Sequence, residues 1–501
     1  MKTMDDKLLA IKNSAGTVPR IPACPAPRNG LTCRGMLKTG LIQPETIPGH
    51  FPRNLRTIVE LYRSCLDGGA ELVLCPPLAL SGMHTGKLAL RDGFRSQHRA
   101  ALAYLAKEIA DVPLVLGAAD EEGLRFHLLR NGRSFPQETV IPHSASCTGS
   151  VPVSGIFRNT GEAGFSIFPW APSSPVPCLL LRTPSGAWRA GLLEQEEEEE
   201  RRLTQATGLP VFTSRLAGGE GSFLLPGASS AWSGNGSFLG RLRLFERDSA
   251  VISAEAPVHQ AFSLPAPEEQ LRHALRKGMA DFIQKTGHVS ACLNLLESPS
   301  SPLLAHLSKE ALPSLKITGL IPRLPGAPER DLARARALAD KLGIHAREWT
   351  FPSPTAGEGP EGQFTAMWSM RQWAQGEGAL LLSALNGTDV MTDSPLLPGA
   401  LAADFMPLGD LYETELANLF PGLLTPAPEA AMRDGLLIRL HRNHESATPL
   451  ADRLPEREQE IRRLQRRARA SEWIRRKLPP RLLLRSAPDE PETPYVHRLM
   501  D

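Results

Sequence analysis

Long apolar runs are missing from this 501-residue chain. Stretches such as CLLL at 178–181 fall far short of the roughly 20 residues that a membrane helix needs, so a membrane protein is not expected. The opening MKTMDDKLLAIKNSAGTVPR carries charge on both sides of a short apolar run and lacks the apolar core of a secretory signal, which makes the cytoplasm the expected location. Paired cysteines are missing too. Seven cysteines (Cys24, Cys33, Cys65, Cys75, Cys147, Cys178, Cys292) form an odd set with no CxxC spacing, which argues for reduced thiols over a disulfide frame or a zinc site. Net charge is nearly absent: 56 basic against 54 acidic residues leave +2, too weak a field to gather nucleic acid. The 13 histidines form no HExxH; His441 and His444 could share a helix face, but no other segment supplies further ligands, so no metal site is expected. No GxGxxG opens a helix after a strand, LAGGEGSFLLPG reads as a loop, and no short period suggests a solenoid.

What is present fits a soluble two-domain chain, with 42% hydrophobic and 22% charged residues in a length suited to two cores. Forty-five prolines gather in stretches such as IPACPAPRNG and FPWAPSSPVPC, where long loops are expected. Residues 1–30 read as an irregular extension. The pattern then alternates: a helix near 52–67, strand ELVLCPPLAL, a helix near 95–110, strand VPLVLGAAD, an acidic helix over 192–207, strand GLPVFTSRL, and weaker strands at SGNGSFLG and GRLRLFER. After the proline-punctuated SAEAPVHQAFSLPAPEEQ, a helix PEEQLRHALRKGMADFIQKTG opens a second run, in which SACLNLL, LKITGLIPR and HAREWTF alternate with helices at the spacing of βαβ units. Both halves are therefore α/β, divided as 31–255 and 256–501. The acidic string Glu196 to Glu200 and the basic stretch 456–477 each read as a solvated helix face.

Two sets of motifs resemble one known family. GHFPRNLRTIVELYRSCLDGGAELVLCPPLALSGM, KLALRDGFRSQHRAALAYLA and GLPVFTSRLAGGEGSFLLPGASS resemble the nitrilase-type amidase domain of the glutamine-dependent NAD+ synthetases. LLSALNGTDVMTDSPLLPGALAADFMPLGDLYETELANL and RRKLPPRLLLRS resemble the synthetase domain of the same family. The resemblance covers most of residues 32–490. It implies a nitrilase-like α/β sandwich followed by a doubly wound parallel-sheet ATP-pyrophosphatase domain. It also implies a family chemistry in which deamido-NAD+, ATP, magnesium and glutamine yield NAD+ within a homo-oligomer.

The reactive positions depart from that pattern. The amidase needs a Cys nucleophile, a Glu base and an oxyanion-stabilising Lys. Their places fall on Leu180, Pro77 and Glu138, none of which can take over the role. Cys178 lies two places from Leu180, but a shifted thiol would lack both partners. In the synthetase domain the Gly-rich phosphate loop is replaced by LNLLESPSSPLLAHL: Leu296, Glu297 and Ser298 stand for S-G-G, Pro299 follows, Ser300 replaces the Asp, and Ser301 alone keeps its identity. Pro299 removes a donor, and Glu297 brings a negative charge near the phosphate position, a repulsion on the order of 4 kcal/mol at about 4 Å and an effective dielectric of about 20. Downstream, Asn386 and Asp389 survive as weak candidates for holding a dinucleotide, although a turn and a helix cap are an equally available use. A family Asp is replaced by Ala400, whereas Phe405, Pro407, Leu408, Asp410 and Thr414 remain. The expectation is a homologue with both sites degraded, acting as scaffold or regulator in a homo-oligomer or with an active synthetase. Two alternatives stay open: a working NAD+ synthetase using repositioned residues or ammonia, and a non-catalytic dinucleotide-binding module.

Overall fold

The computed structural model describes residues 38–485, except 120–122, 143–149, 152–165, 168–179, 185, 255–261, 325–326, 351–359, 393 and 395. The extension 1–30, Cys178 and residues 255–261 of the proline-punctuated stretch between the halves lie outside the described residues.

The first half begins with β1 (Lys38–Gln43), α1 (Phe51–Asp67), β2 (Leu72–Leu74), α2 (Asp92–Glu108), β3 (Leu114–Ala119), β4 (Gly123–Arg130) and β5 (Arg133–Pro142). Helix α1 starts where Pro52 enters its first turn and the His50 ring accepts from the Arg53 N–H at 3.3 Å. Ile58, Leu61, Tyr62 and Cys65 fall at i, i+3, i+4 and i+7 and are buried. Strands β1 to β3 run parallel, and the covering of both faces explains the uninterrupted apolar sequence of β2 (LVL) and β3 (LVLGAA).

A second sheet collects β6 (Ser150–Val151), β7 (Ser166–Ile167), β8 (Leu180–Pro184), β9 (Val211–Thr213), β12 (Ser230–Trp232) and β13 (Phe238–Arg241), with β10 (Ala217–Glu220) and β11 (Phe223–Pro226) as a separate hairpin. The two sheets meet face to face: Leu41, Leu72, Leu74, Val115 and Phe126 of the first pack with Leu181, Phe212, Ala231 and Leu239 of the second. Helices α1 and α2 cover the outer face of the first sheet, α3 (Leu192–Thr207) leans on β9 and β12 of the second, and β14 (Asp248–Ser253) returns antiparallel to β1. This is the expected α/β sandwich. GRLRLFER is not a strand of its own: β13 ends at Arg241, and the ladder resumes at Asp248.

The second half runs α4 (Pro267–Lys285), β15 (Ser290–Asn294), α5 (Ser301–Ala311), β16 (Lys316–Arg323), α6 (Glu329–Leu342), β17 (His345–Thr350), α7 (Pro360–Gly376) and β18 (Leu380–Leu382). All four strands are parallel in the order β17-β16-β15-β18. Alternation along β15 sends Ala291 and Leu293 toward α4, α5 and α6, and Cys292 toward Met367 and Met370 of α7, so helices cover both faces.

The halves share a core, in which Trp188, Leu224 and Phe245 pack in one cluster with Leu271, Leu275 and Met279 of α4. A polar seam runs beside it. The Asp281 carboxylate accepts the Gly219 N–H at 2.6 Å, Lys277 reaches Glu45 at 2.7 Å and Asp281 at 3.0 Å, and Lys285 donates to the Gly219 carbonyl at 2.7 Å. Glycine is required at 219 because a Cβ there would stand 2.9 Å from that of Asp281.

Candidate functional site

In an open parallel sheet, ligands bind beyond the carboxyl ends of two strands whose connections leave in opposite directions. Here that point lies between β15 and β18, flanked by the 295–300 loop, the start of α5 and the 383–386 segment.

The loop after β15 closes on itself. The Leu296 N–H donates to Asn294 Oδ1 at 2.9 Å, the Ser298 N–H to Ser301 Oγ at 3.1 Å, the Ser300 N–H to Ser298 Oγ at 3.1 Å, and the Ser301 N–H to the Ser298 carbonyl at 3.0 Å. Position 299 is Pro and has no N–H. The N–H groups of Ser298, Ser300 and Ser301, at the position of a helix N-terminal phosphate cradle, are thus bonded within the loop to its own serines. Ser301 serves the turn.

Glu297 does not point outward. It is 4% exposed, and its carboxyl crosses the crevice to accept from the Ser383 hydroxyl at 2.6 Å and the Ala384 N–H at 2.7 Å. Burial pushes it up to about 7, with the negative Asp389 adding to the shift and the two hydrogen bonds opposing it. The Ser298 hydroxyl ties the same loop to the Ala384 carbonyl at 3.2 Å. The sequence identified Glu297 as a charge near the phosphate position; that its carboxyl joins the two sides of the crevice was not legible, because Ser383 and Ala384 lie 86 and 87 residues away.

Asn386 and Asp389 form a capping box at the start of α8 (Gly387–Met391): Asn386 Oδ1 accepts from the Thr388 and Asp389 N–H groups, and the Asp389 carboxylate accepts from the Asn386 N–H at 3.1 Å. Asn386 Nδ2 donates to Ser300 Oγ at 3.0 Å, so Asn386 and the loop after β15 do come together. Burial pushes Asp389 up to about 6. Phe405 stacks on Phe282 of α4 with centroids 3.9 Å apart, Asp410 receives the Leu484 and Arg485 N–H groups at 2.7 Å each, and Ala400 ends a short helix over 397–400. Asp410 thereby anchors the KLPPRLLLR tail. Among the described residues, no group of three or more His, Cys, Asp or Glu side chains is placed to hold a metal ion.

In the first half, Pro77 is buried in the turn after β2, against Gly117 of β3, where a Cβ would lie 2.7 Å from the proline's own. The described residues around it, including Arg215, Leu225 and Pro226, leave a cavity of about 10 Å3, room for roughly one water. Glu138 lies in β5 and Leu180 in β8, where it pairs with Val211; their side chains and Cys178 are outside the described residues. An open groove of about 680 Å3 between α1 and α2, lined by Phe51, Leu55, Arg56 and Tyr104 among others, shares no lining residue with either site.

Two buried carboxylates were not singled out by sequence reasoning. Glu220 accepts from Thr46 Oγ1, from the Met83 N–H at 3.0 Å and from the His84 N–H at 2.9 Å, binding the turn after β2 to the β10–β11 hairpin. Glu200, in the acidic string, is fully buried and meets Arg215 at 2.6 Å, Arg182 at 3.2 Å, Ser230 at 2.8 Å and Trp232 at 2.8 Å. Glu196, Glu197 and Glu199 pair with Arg215, Arg241 and Arg182. The acidic face of α3 is therefore an inward ion-pair network and not the solvated surface expected. On 456–477 the structure agrees with the sequence reading, since Arg462, Arg463, Arg466 and Arg467 are exposed while Ile461, Leu464 and Ala468 are buried.

No protein-family model matches the chain. It is 24% identical over 422 aligned positions to the glutamine-dependent NAD+ synthetase of Rhodobacter capsulatus, covering 75% of this chain and 76% of that one. To the enzyme of the same name from a Synechocystis strain it is 25% identical over 503 positions, covering 82% and 89%. Among solved structures, the glutamine-dependent NAD+ synthetase of Cytophaga hutchinsonii superposes with a TM-score of 0.71 at 12% identity, and that of Acinetobacter baumannii, in complex with ADP, with 0.64 at 15%; each match covers 92% of this chain and 98% of the other. The likeness to the curated relatives runs through both halves, and the same two-part fold recurs in the solved structures; these likenesses support membership of the glutamine-dependent NAD+ synthetase family.

Proposed function

We propose that this chain is a non-catalytic member of its family, a cytoplasmic scaffold or regulator that keeps the architecture and not the nitrogen-transfer chemistry. One observation carries the reading: in the loop that would cradle the nucleotide's phosphates the Ser298 and Ser300 N–H groups are engaged by the loop's own serine hydroxyls, and the Glu297 carboxyl crosses the crevice beside it. The residues present do not fit ATP with magnesium. Pro299 lacks a donor, Ser300 stands where the family's acidic residue would be, and an ionised Glu297 would repel a phosphate. Nor do Asn386 and Asp389 support a dinucleotide-binding module, since each is engaged in capping the other's helix turn. In the first half, Pro77 offers no titratable group, and the described residues beside it leave a cavity of only about 10 Å3. The buried reduced thiols Cys65, Cys75 and Cys292 suit a reducing compartment.

The purified chain, given deamido-NAD+, ATP, magnesium and either glutamine or ammonium, is expected to form no NAD+ above the blank in an enzymatic cycling assay. Turnover with either nitrogen donor overturns the reading. A pull-down from the host should recover an active synthetase or further copies of this chain; a monomer that captures neither removes the scaffold role.

A further inference from the structure

The cations of 456–477 collect on one side of two helices. These are α9 (Glu458–Ala470) and α10 (Glu472–Arg475), with Ser471 alone between them. Ile461, Leu464, Ala468, Ser471 and Ile474 recur at three- and four-residue spacing and are buried, so one side of both helices faces the core. The opposite side carries Arg462, Arg463, Arg466, Arg467, Trp473 and Lys477, all exposed. Glu458 holds Arg462 at 2.8 Å and Glu460 holds Arg463 at 3.4 Å, exposed pairs of small worth. Among the described residues, neither Arg466 nor Arg467 has an ion-pair partner. Trp473 is 55% exposed, and Lys477 Nζ stands 5.0 Å from its ring centroid. Indole and guanidinium groups dominate the contact surfaces of proteins, and a row of cations selects an anionic partner.

The chain itself holds a segment of that chemistry. Beyond Arg485 the sequence reads SAPDEPETPY, with Pro488, Pro491 and Pro494 three residues apart and Asp489, Glu490 and Glu492 between them. An extended proline helix has three residues per turn, so prolines at that spacing form one ridge, of the kind that docks on exposed aromatic rings, with the carboxylates to its sides. The segment also leaves from beside α9. The Asp410 carboxylate holds the Leu484 and Arg485 N–H groups, and Arg485 Nε meets Glu415 at 3.0 Å. Next to Asp410 in sequence, Tyr412 packs in one cluster with Ile461 and Leu464 of the inner side of α9. Pro488 follows Arg485 by at most about 10 Å of chain and Pro494 by about 30 Å, against a helix about 10–12 Å across.

We propose that the exposed side of α9 and α10 is the docking surface for the chain's own 488–494 segment: the proline ridge lies on the Trp473 ring, and Asp489, Glu490 and Glu492 face Arg466, Arg467 and Lys477. The contact covers the exposed indole and supplies anions to cations that have none. It uses no residue of the crevice between β15 and β18, so it holds whether or not the chain forms NAD+.

Carbodiimide coupling of the whole chain at low salt, which joins an amine to a carboxylate in contact with it, tests the docking. Peptide mass spectrometry should recover an amide between Lys477 and Asp489, Glu490 or Glu492, at a yield about tenfold above that of the same carboxylates with Lys107, an exposed lysine of α2. Salt at about 0.5 M should cut the Lys477 product severalfold, because the screening length falls to about 4 Å. Arg466→Gln with Arg467→Gln leaves Lys477 and Trp473 in place and should lower the yield about fivefold. Pro488→Ser, Pro491→Ser and Pro494→Ser together keep every carboxylate and should lower it to a similar extent. No Lys477 product, a yield equal to that with Lys107, or a yield unmoved by either set of substitutions overturns the docking. A mixture of unlabelled and nitrogen-15 chains identifies the donor of the segment. Products carrying a single label are expected; mixed products assign the segment to a second copy and overturn the proposal.

Discussion

Glu200 and Glu297 are both buried glutamates, and their surroundings set them to opposite protonation behaviour. At Glu200 burial works against the charge, but Arg215 and Arg182 overcome it and hold the group below its ordinary 4.5. Its contribution to stability is present above the unfolded value and lost as pH falls through the folded one. Glu200→Ala, which leaves two buried guanidinium groups without this partner, should cost about 3–5 kcal/mol in urea unfolding at pH 7. Glu297 has no arginine and sits above its unfolded value, so the folded chain holds the proton more tightly than the unfolded one. Its contribution is complete below about 4.5 and is lost as pH rises through about 7, a change on the order of 3 kcal/mol. Glu297→Gln should remove this slope, and unfolding curves at pH 5 and pH 8 read the difference directly.

At the scale of elements, two joints depend on a single side chain or its absence. Helix α8 has five residues and is held by its capping box; Asn386→Ala should cost about 1–2 kcal/mol and loosen the Ser300 contact, seen as a lower urea midpoint. Gly117 lies under Pro77, and Gly117→Ala should cost about 1–3 kcal/mol by forcing β3 away from the turn after β2, checked by thermal unfolding. Helices α1 and α3 were legible because their periodicity extends over four turns or more. The parallel strands β2, β3, β15 and β16 were legible because apolar residues line both of their faces, whereas β1 (KTGLIQ) and the three-residue β18 were not read as strands, and β17 (HAREWT) was legible from its βαβ spacing. GRLRLFER misled because its alternation of Arg with apolar residues imitates a strand, whereas the chain bends after Arg241 and the ladder resumes only at Asp248. Similarly, Asn386 and Asp389 could be read as ligands or as a cap, and their mutual hydrogen bonds place them in the cap.

Across the whole molecule, the two halves are joined through a shared apolar cluster and the Asp281 seam. Asp281→Ala would leave the Gly219 N–H without its acceptor and Lys277 and Lys285 short of a partner, at a cost of about 2–4 kcal/mol. Calorimetry should show a broader or split transition in the variant relative to the wild type as the halves lose coupling. The chain alone determined the α/β class, the sandwich followed by the parallel sheet, and the likeness to the glutamine-dependent NAD+ synthetases, because each of these is written in local periodicity or in motif order. Tertiary structure decided where the carboxylates go: Glu200 toward the arginines of β8 and of the segment after β9, Glu297 across the crevice, Asp281 onto a glycine of the other half. Those partners are far apart in sequence, and whether a glutamate is solvated, paired or protonated depends on what folding brings beside it.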